Sequence, residues 1–135
     1  MNNTSSHGYM LIFRGTDWHQ GLSPEEMQGV FERWMSWFNG LKQDGRASAG
    51  DPLEKEGVVI SGKLGHVVSD GPFAEAKEAI GGYFLLTVGS MDEAVEIARQ
   101  CPGLPYGIKV EVRPVAGTCL DPANVGAREA EMAAA

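Results

Sequence analysis

His66 and Asp70 stand four residues apart near the middle of the chain, and Glu75, Lys77 and Glu78 follow within eight positions. Carboxylates and imidazoles are the side chains best suited to moving protons near neutral pH, provided they reach a substrate. His66 shares parity with Val68 and Asp70, so a regular strand would place both polar groups on one face. Four strand residues span about 13 Å, which rules out a direct dyad; joint action needs a substrate between them or a chain reversal at the following turn. A solvent-facing or core-satisfied histidine is the plainer reading. Asp70 also has two readings. In the turn Asp70-Gly71-Pro72-Phe73 the carboxylate can accept backbone N–H groups, while Pro72 drives Gly71 out of the helical region and Phe73 enters the core. In the functional reading Asp70 lies at the mouth of a cleft between subunits, with Glu75, Lys77 and Glu78 binding a ligand beside it.

Other candidates are weaker. Arg14 and Arg113 could clamp a carboxylate with their bidentate guanidinium donors, although pairing with Glu111 would occupy them equally well. Trp34 belongs to an apolar helical stripe, whereas Trp37 sits at its flank and is a candidate for a pocket wall or an oligomer contact. His7 and His19 have no second ligand at metal spacing. Cys101 and Cys119 form neither a CxxC nor a Cys/His set, which leaves two reduced thiols. Gly81-Gly82 permits a bulge or a close backbone approach but lacks the context of a phosphate loop. No metal, nucleotide or other cofactor is expected.

The elements that must position these groups follow from the rest of the chain. Its 135 residues, 43% hydrophobic and 21% charged, suit one globular domain. A net charge of −7 argues against tracking nucleic-acid phosphates. No apolar run approaches the ~20 residues of a membrane helix, and no signal pattern opens the chain; a cytoplasmic protein is expected.

Residues 8–14 read as a strand buried on both faces. Ser23-Pro24-Glu25-Glu26 is a capping box with proline at the first helical position. Met27, Val30, Phe31, Trp34, Phe38 and Leu41 continue from it as one stripe, and Asp44-Gly45 ends the helix. Residues 46–56, polar and carrying Gly50 and Pro52, read as a loop or ragged edge segment. Val58–Ile60 and Leu64–Val68 read as a hairpin around Ser61-Gly62-Lys63. A short helical stretch is expected at 74–79, a strand at 83–88, a second capped helix from Ser90 to Cys101, and a last strand through Ile108, Val110 and Val112. From Gly117 onward the residues read as a tail, so the domain spans 1–117 and the tail 118–135.

The order β-α-β-β-β-α-β is α+β and ferredoxin-like: an antiparallel sheet with one extra hairpin strand and two helices on one face. The uncovered sheet face predicts a homodimer.

The segments Asp70-Gly71-Pro72-Phe73-Ala74-Glu75, Lys77-Glu78, Gly81-Gly82, Cys101-Pro102 and Glu111-Val112-Arg113-Pro114 resemble the DGPF branch of the YCII-related family, in order and spacing. The resemblance implies a dimeric α+β barrel and an association with sigma-factor or stress regulation, without an established activity. The other branch of that family carries a histidine and an aspartate in and just after the first helix; Trp34 and Gln43 stand there in this chain, and neither can shuttle a proton at neutral pH. The expected function is therefore a small-molecule-binding dimer. The alternative is a cofactor-independent isomerase, lyase or hydrolase using Asp70 or His66.

Overall fold

The computed structural model describes residues 7–15, 18–54, 56–70 and 80–116. Its elements are β1 (Tyr9–Arg14), α1 (Pro24–Gln43), β2 (Ala47–Pro52), β3 (Val58–Ser61), β4 (Val67–Asp70), β5 (Ile80–Leu86), α2 (Met91–Ala98) and β6 (Lys109–Pro114), with a single 3-10 turn at Leu104–Tyr106. Four strands make an antiparallel sheet in the order β2-β5-β1-β6. This is the ferredoxin-like order, in which each helix connects strands separated by a third.

The capping box forms as its residues dictate. The Ser23 hydroxyl accepts the Glu26 N–H at 3.1 Å and the Glu26 carboxylate accepts the Ser23 N–H at 3.0 Å. These bonds, the backbone one foremost, hold the Glu26 carboxyl below its ordinary pKa. At α2 the Ser90 hydroxyl accepts the Glu93 N–H at 3.2 Å.

Pleating sorts the sheet's side chains. Tyr9, Leu11 and Phe13 of β1 lie beside Leu86, Phe84 and Gly82 of β5, and all of them are buried. They meet Leu41 of α1 and Ala94, Ile97 and Ala98 of α2 in one core, so both helices cover the same face. The opposite face carries Met10, Ile12, Tyr83 and Leu85, with Arg14 and Glu111.

Beyond shifted ends, β5 starting at Ile80 and stopping at Leu86 and α2 stopping at Ala98, two segments differ from expectation. Residues 47–52, read as a loop or ragged edge, form the edge strand β2. A strand paired on one side only needs no apolar pattern, and proline is tolerated at its end. The hairpin is present but forms its own two-stranded sheet, with Val58 opposite Asp70 and Ser61 opposite Val67. Its turn is also longer than expected. Gly62 and Gly65 both adopt positive φ, +90° and +70°, so Leu64 and His66 lie in the turn instead of in a strand. The expected helix at 74–79, the turn from Gly71 to Phe73 and the tail from Gly117 fall outside the described residues. No helix among the described residues is long and apolar enough to cross a membrane.

Cys101 follows α2 and is 3% exposed; burial pushes its thiol pKa up to about 11, against hydrogen bonds from the Gly103 and Leu104 backbone that act the other way. An unfolded chain releases this proton near pH 9, so stability should fall as pH rises from about 9 to about 11. The loss should approach 2–3 kcal/mol. In a Cys119→Ser chain at pH 8, Cys101 should resist a thiol-specific chromogenic disulfide until denaturant is added. Rapid labelling of the native chain would contradict this.

Candidate functional site

The apolar stripe of α1 is broader than the sheet beneath it. Val30 and Leu41 are fully buried, Trp34, Trp37 and Phe38 are half-buried, and Phe31 remains 59% exposed. The helix therefore does not close onto the sheet along its first three turns. A cavity of about 370 Å3 lies there, lined from α1 by Met27, Val30, Phe31, Trp34, Met35 and Phe38. Phe13 and Phe84 come from the sheet, Gly50, Asp51 and Pro52 from the β2 edge, and Gly15, Trp18, Gly81 and Ile108 complete the wall.

Absent side chains make the room. Gly50 lines the cavity from the helix-facing side, where a larger residue would project under α1; Gly82 is on the same side without lining it. A Cβ at Gly50 would come within 2.6 Å of Phe84 Cδ1 and 3.0 Å of Phe38 Cε1. One at Gly82 would come within 3.0 Å of the Asp51 carbonyl oxygen. Opposite Gly81 the ladder shifts register between Phe13 and Arg14, the irregularity that the glycine pair made possible.

Aromatic rings hold the walls. Phe84 meets Phe38 at 4.6 Å, Phe13 at 4.9 Å and Trp37 at 4.9 Å between centroids. Trp18 stacks on Trp34 at 5.9 Å and 27°, and Phe13 meets the Trp34 ring edge-on at 5.1 Å. Asp51 is the one ionisable residue in the lining, yet it enters through its backbone. It pairs with Tyr83, on the face away from α1, where its carboxylate accepts a long bond, 3.4 Å, from the Tyr83 hydroxyl.

Of the site residues expected from sequence, Trp37 packs against the Phe84 and Trp34 rings that line the cavity, at 4.9 and 6.0 Å between centroids, without lining it itself. Its indole Nε1–H is buried without a partner among the described residues. Arg14 lies on the other face of the sheet, where its Nη2 stands 2.6 Å from Glu111 Oε1 and its Nε donates to the same oxygen at 2.7 Å; Arg113 Nε lies 3.6 Å from Glu111 Oε2. Asp70 ends the hairpin and His66 sits in its turn, both exposed, and neither contributes to the cavity. Glu75, Lys77 and Glu78 lie outside the described residues. Sequence reasoning passed over Trp18, Met35 and Gly50. The available signal was Met35 extending the α1 stripe beyond the width that one sheet can cover.

A protein of Rhizobium meliloti (strain 1021), itself described as uncharacterised, is 45% identical over 51 residues, 37% of this chain and 41% of that protein. The matched stretch thus spans less than half the length of that relative. Among solved structures, 5-chloro-2-hydroxyhydroquinone dehydrochlorinase from Burkholderia phenoliruptrix, in complex with 2,5-dihydroxybenzoquinone, is 15% identical with a TM-score of 0.42, covering 82% of this chain and 95% of that one. The family model for the YCII-related domain matches residues 9–116, the whole span from β1 to the end of β6, and the chain belongs to the YCII-related domain family.

Proposed function

We propose that this domain is a binding module for a neutral, largely apolar small molecule, held between α1 and the sheet, and that it works as a homodimer. The observation that carries the reading is a cavity of about 370 Å3 into which the lining directs aromatic and aliphatic groups but no charged one. That volume lies within the few hundred Å3 typical of small-molecule sites. Burying a charged ligand there would strip its hydration without offering a counter-charge, so the site selects against ions. Asp70 and His66, the residues of the acid–base alternative, lie on the exposed hairpin.

The test is a size-matched set of probes: propylbenzene, phenylpropanoate and 3-phenylpropylammonium. At ten times its dissociation constant the neutral probe should stabilise the fold by about 1.4 kcal/mol, which raises Tm by several degrees. It should also change the tryptophan emission, because Trp18 and Trp34 line the cavity. The two ions should bind at least tenfold more weakly. Failure of all three to bind, or tighter binding of either ion, would remove this reading.

A further inference from the structure

Residues that line the cavity and yet stay exposed mark its mouth: Phe31 and Met35 on α1, Asp51 and Pro52 at the β2 edge. Those that line it and are buried, Phe13, Val30, Phe84 and Ile108, mark its floor. Most of the aromatic rings in the lining already have ring partners within the chain. Phe13 and Phe38 meet Phe84, and Trp18 stacks on Trp34. Phe31 is the exception. Among the described residues no aromatic ring lies against it, and it is 59% exposed on the wall of an apolar cavity.

The fold gives no reason for a phenyl ring there. Val30, the preceding residue, is 1% exposed and carries that turn of α1 into the core. An exposed helix position is better served by alanine, glutamate or lysine, because an aromatic side chain loses χ1 freedom against the preceding turn. Positions that break a local rule without a structural gain are where function is expected. At the mouth of a cavity, the gain that Phe31 lacks in the free chain is one that a ligand would supply.

We infer that Phe31 sets the specificity of the cavity and that its ligand carries a flat aromatic ring seated against the Phe31 ring, an assignment that rests on the cavity reading and narrows its neutral ligand to an aromatic one. A ring is negative on its faces and positive at its edge, so two rings placed offset or edge to face gain more than the area they bury. A saturated ring of the same carbon count is thicker and lacks this quadrupole, so it gains burial alone. Met35, one turn along the same rim and 40% exposed, acts in the same direction because a thioether sulfur favours ring edges.

The test compares propylbenzene with propylcyclohexane, equal in carbon count, on the wild type, Phe31→Leu and Phe31→Tyr. Headspace gas chromatography reads the free hydrocarbon below its solubility limit. The quantity taken from each chain is the ratio of the two dissociation constants, and comparing ratios between chains cancels the greater hydrophobicity of the saturated ring. The ratio should favour propylbenzene about two- to tenfold more in the wild type than in Phe31→Leu. Phe31→Tyr, which keeps the ring and can hold its hydroxyl in water, should match the wild type. Without ligand all three chains should melt within about 3 °C of one another, as expected for an exposed position. A second measurement needs no change at position 31. In protein labelled at the methionine methyl groups, the Met35 signal, identified by its loss in Met35→Leu, should shift by ring current with propylbenzene and stay nearly still with propylcyclohexane. Equal ratios in the three chains, a Phe31→Tyr ratio that follows leucine, or a Met35 signal that answers both hydrocarbons alike would overturn the assignment while propylbenzene binding leaves the cavity reading intact. A Phe31→Leu chain melting far below the wild type would overturn it too, because the ring would then belong to the core. Failure of propylbenzene to bind the wild type would remove the cavity reading, and the assignment with it.

Discussion

Phe84→Ala is expected to lower the unfolding free energy by about 3–5 kcal/mol and to weaken the neutral probe's binding at least tenfold. The phenyl ring is 5% exposed and lies at the centre of the aromatic group, within 5 Å of the Phe38, Phe13 and Trp37 centroids. Its removal deletes three ring contacts at once and leaves a void that the antiparallel neighbours β1 and β2 prevent from collapsing. Urea unfolding followed by tryptophan fluorescence should show the midpoint falling by about 2 M with little change in slope, since the slope reports the area exposed on unfolding. Phe31→Ala is the control. That ring is 59% exposed, so the same chemical change should cost less than about 1 kcal/mol. Equal losses at the two positions would mean that α1 closes onto the sheet more tightly than the cavity allows.

The contrast between these phenylalanines marks where the sequence is legible. Both sit in or beside apolar patterns of similar strength, and periodicity alone reads each as core. What separates them is the partner each finds across space. Phe84 faces Phe13, Phe38 and Trp37, while Phe31 faces an opening produced by glycines in two other elements. Local chemistry carries the elements whose reasons are local: Ser23 caps α1 because its hydroxyl and Glu26 answer each other three residues apart, and Gly45 follows the helix at φ +72°. Non-local reasons leave fainter traces. The β2 edge strand has no apolar signature because it pairs only with β5, and the hairpin's separation from the main sheet depends on β5 already occupying the neighbouring position beside β1. Asp70 and His66 stood out by residue type, whereas a cavity built mainly of aromatic walls and missing side chains has no chemical letters to read. The order of elements carried the ferredoxin-like plan and the resemblance of the DGPF turn and its companion segments led to the family, while both left the cavity undisclosed.

The cavity also joins stability to function through one backbone position. Gly50→Ala is expected to cost about 1–3 kcal/mol and to reduce probe affinity about tenfold, although it adds a single methyl group. The new Cβ would come within 2.6 Å of Phe84 Cδ1, 2.9 Å of the Tyr83 carbonyl oxygen and 3.0 Å of Phe38 Cε1. The carbonyl belongs to the β2–β5 ladder and cannot yield without breaking it, so the two rings must move, and the space open to them is the cavity. Gly40→Ala should have the opposite sign. Gly40 lies within α1, its Cβ would meet nothing within 4 Å, and alanine in a helix interior gains about 1 kcal/mol over glycine. Thermal melting of the two variants beside the wild type should therefore bracket it, with probe binding retained at position 40 and lost at position 50. A Gly50→Ala chain as stable as the wild type and binding the probe equally well would show that the rings have somewhere else to go, and the cavity would then not be the space that Gly50 keeps open.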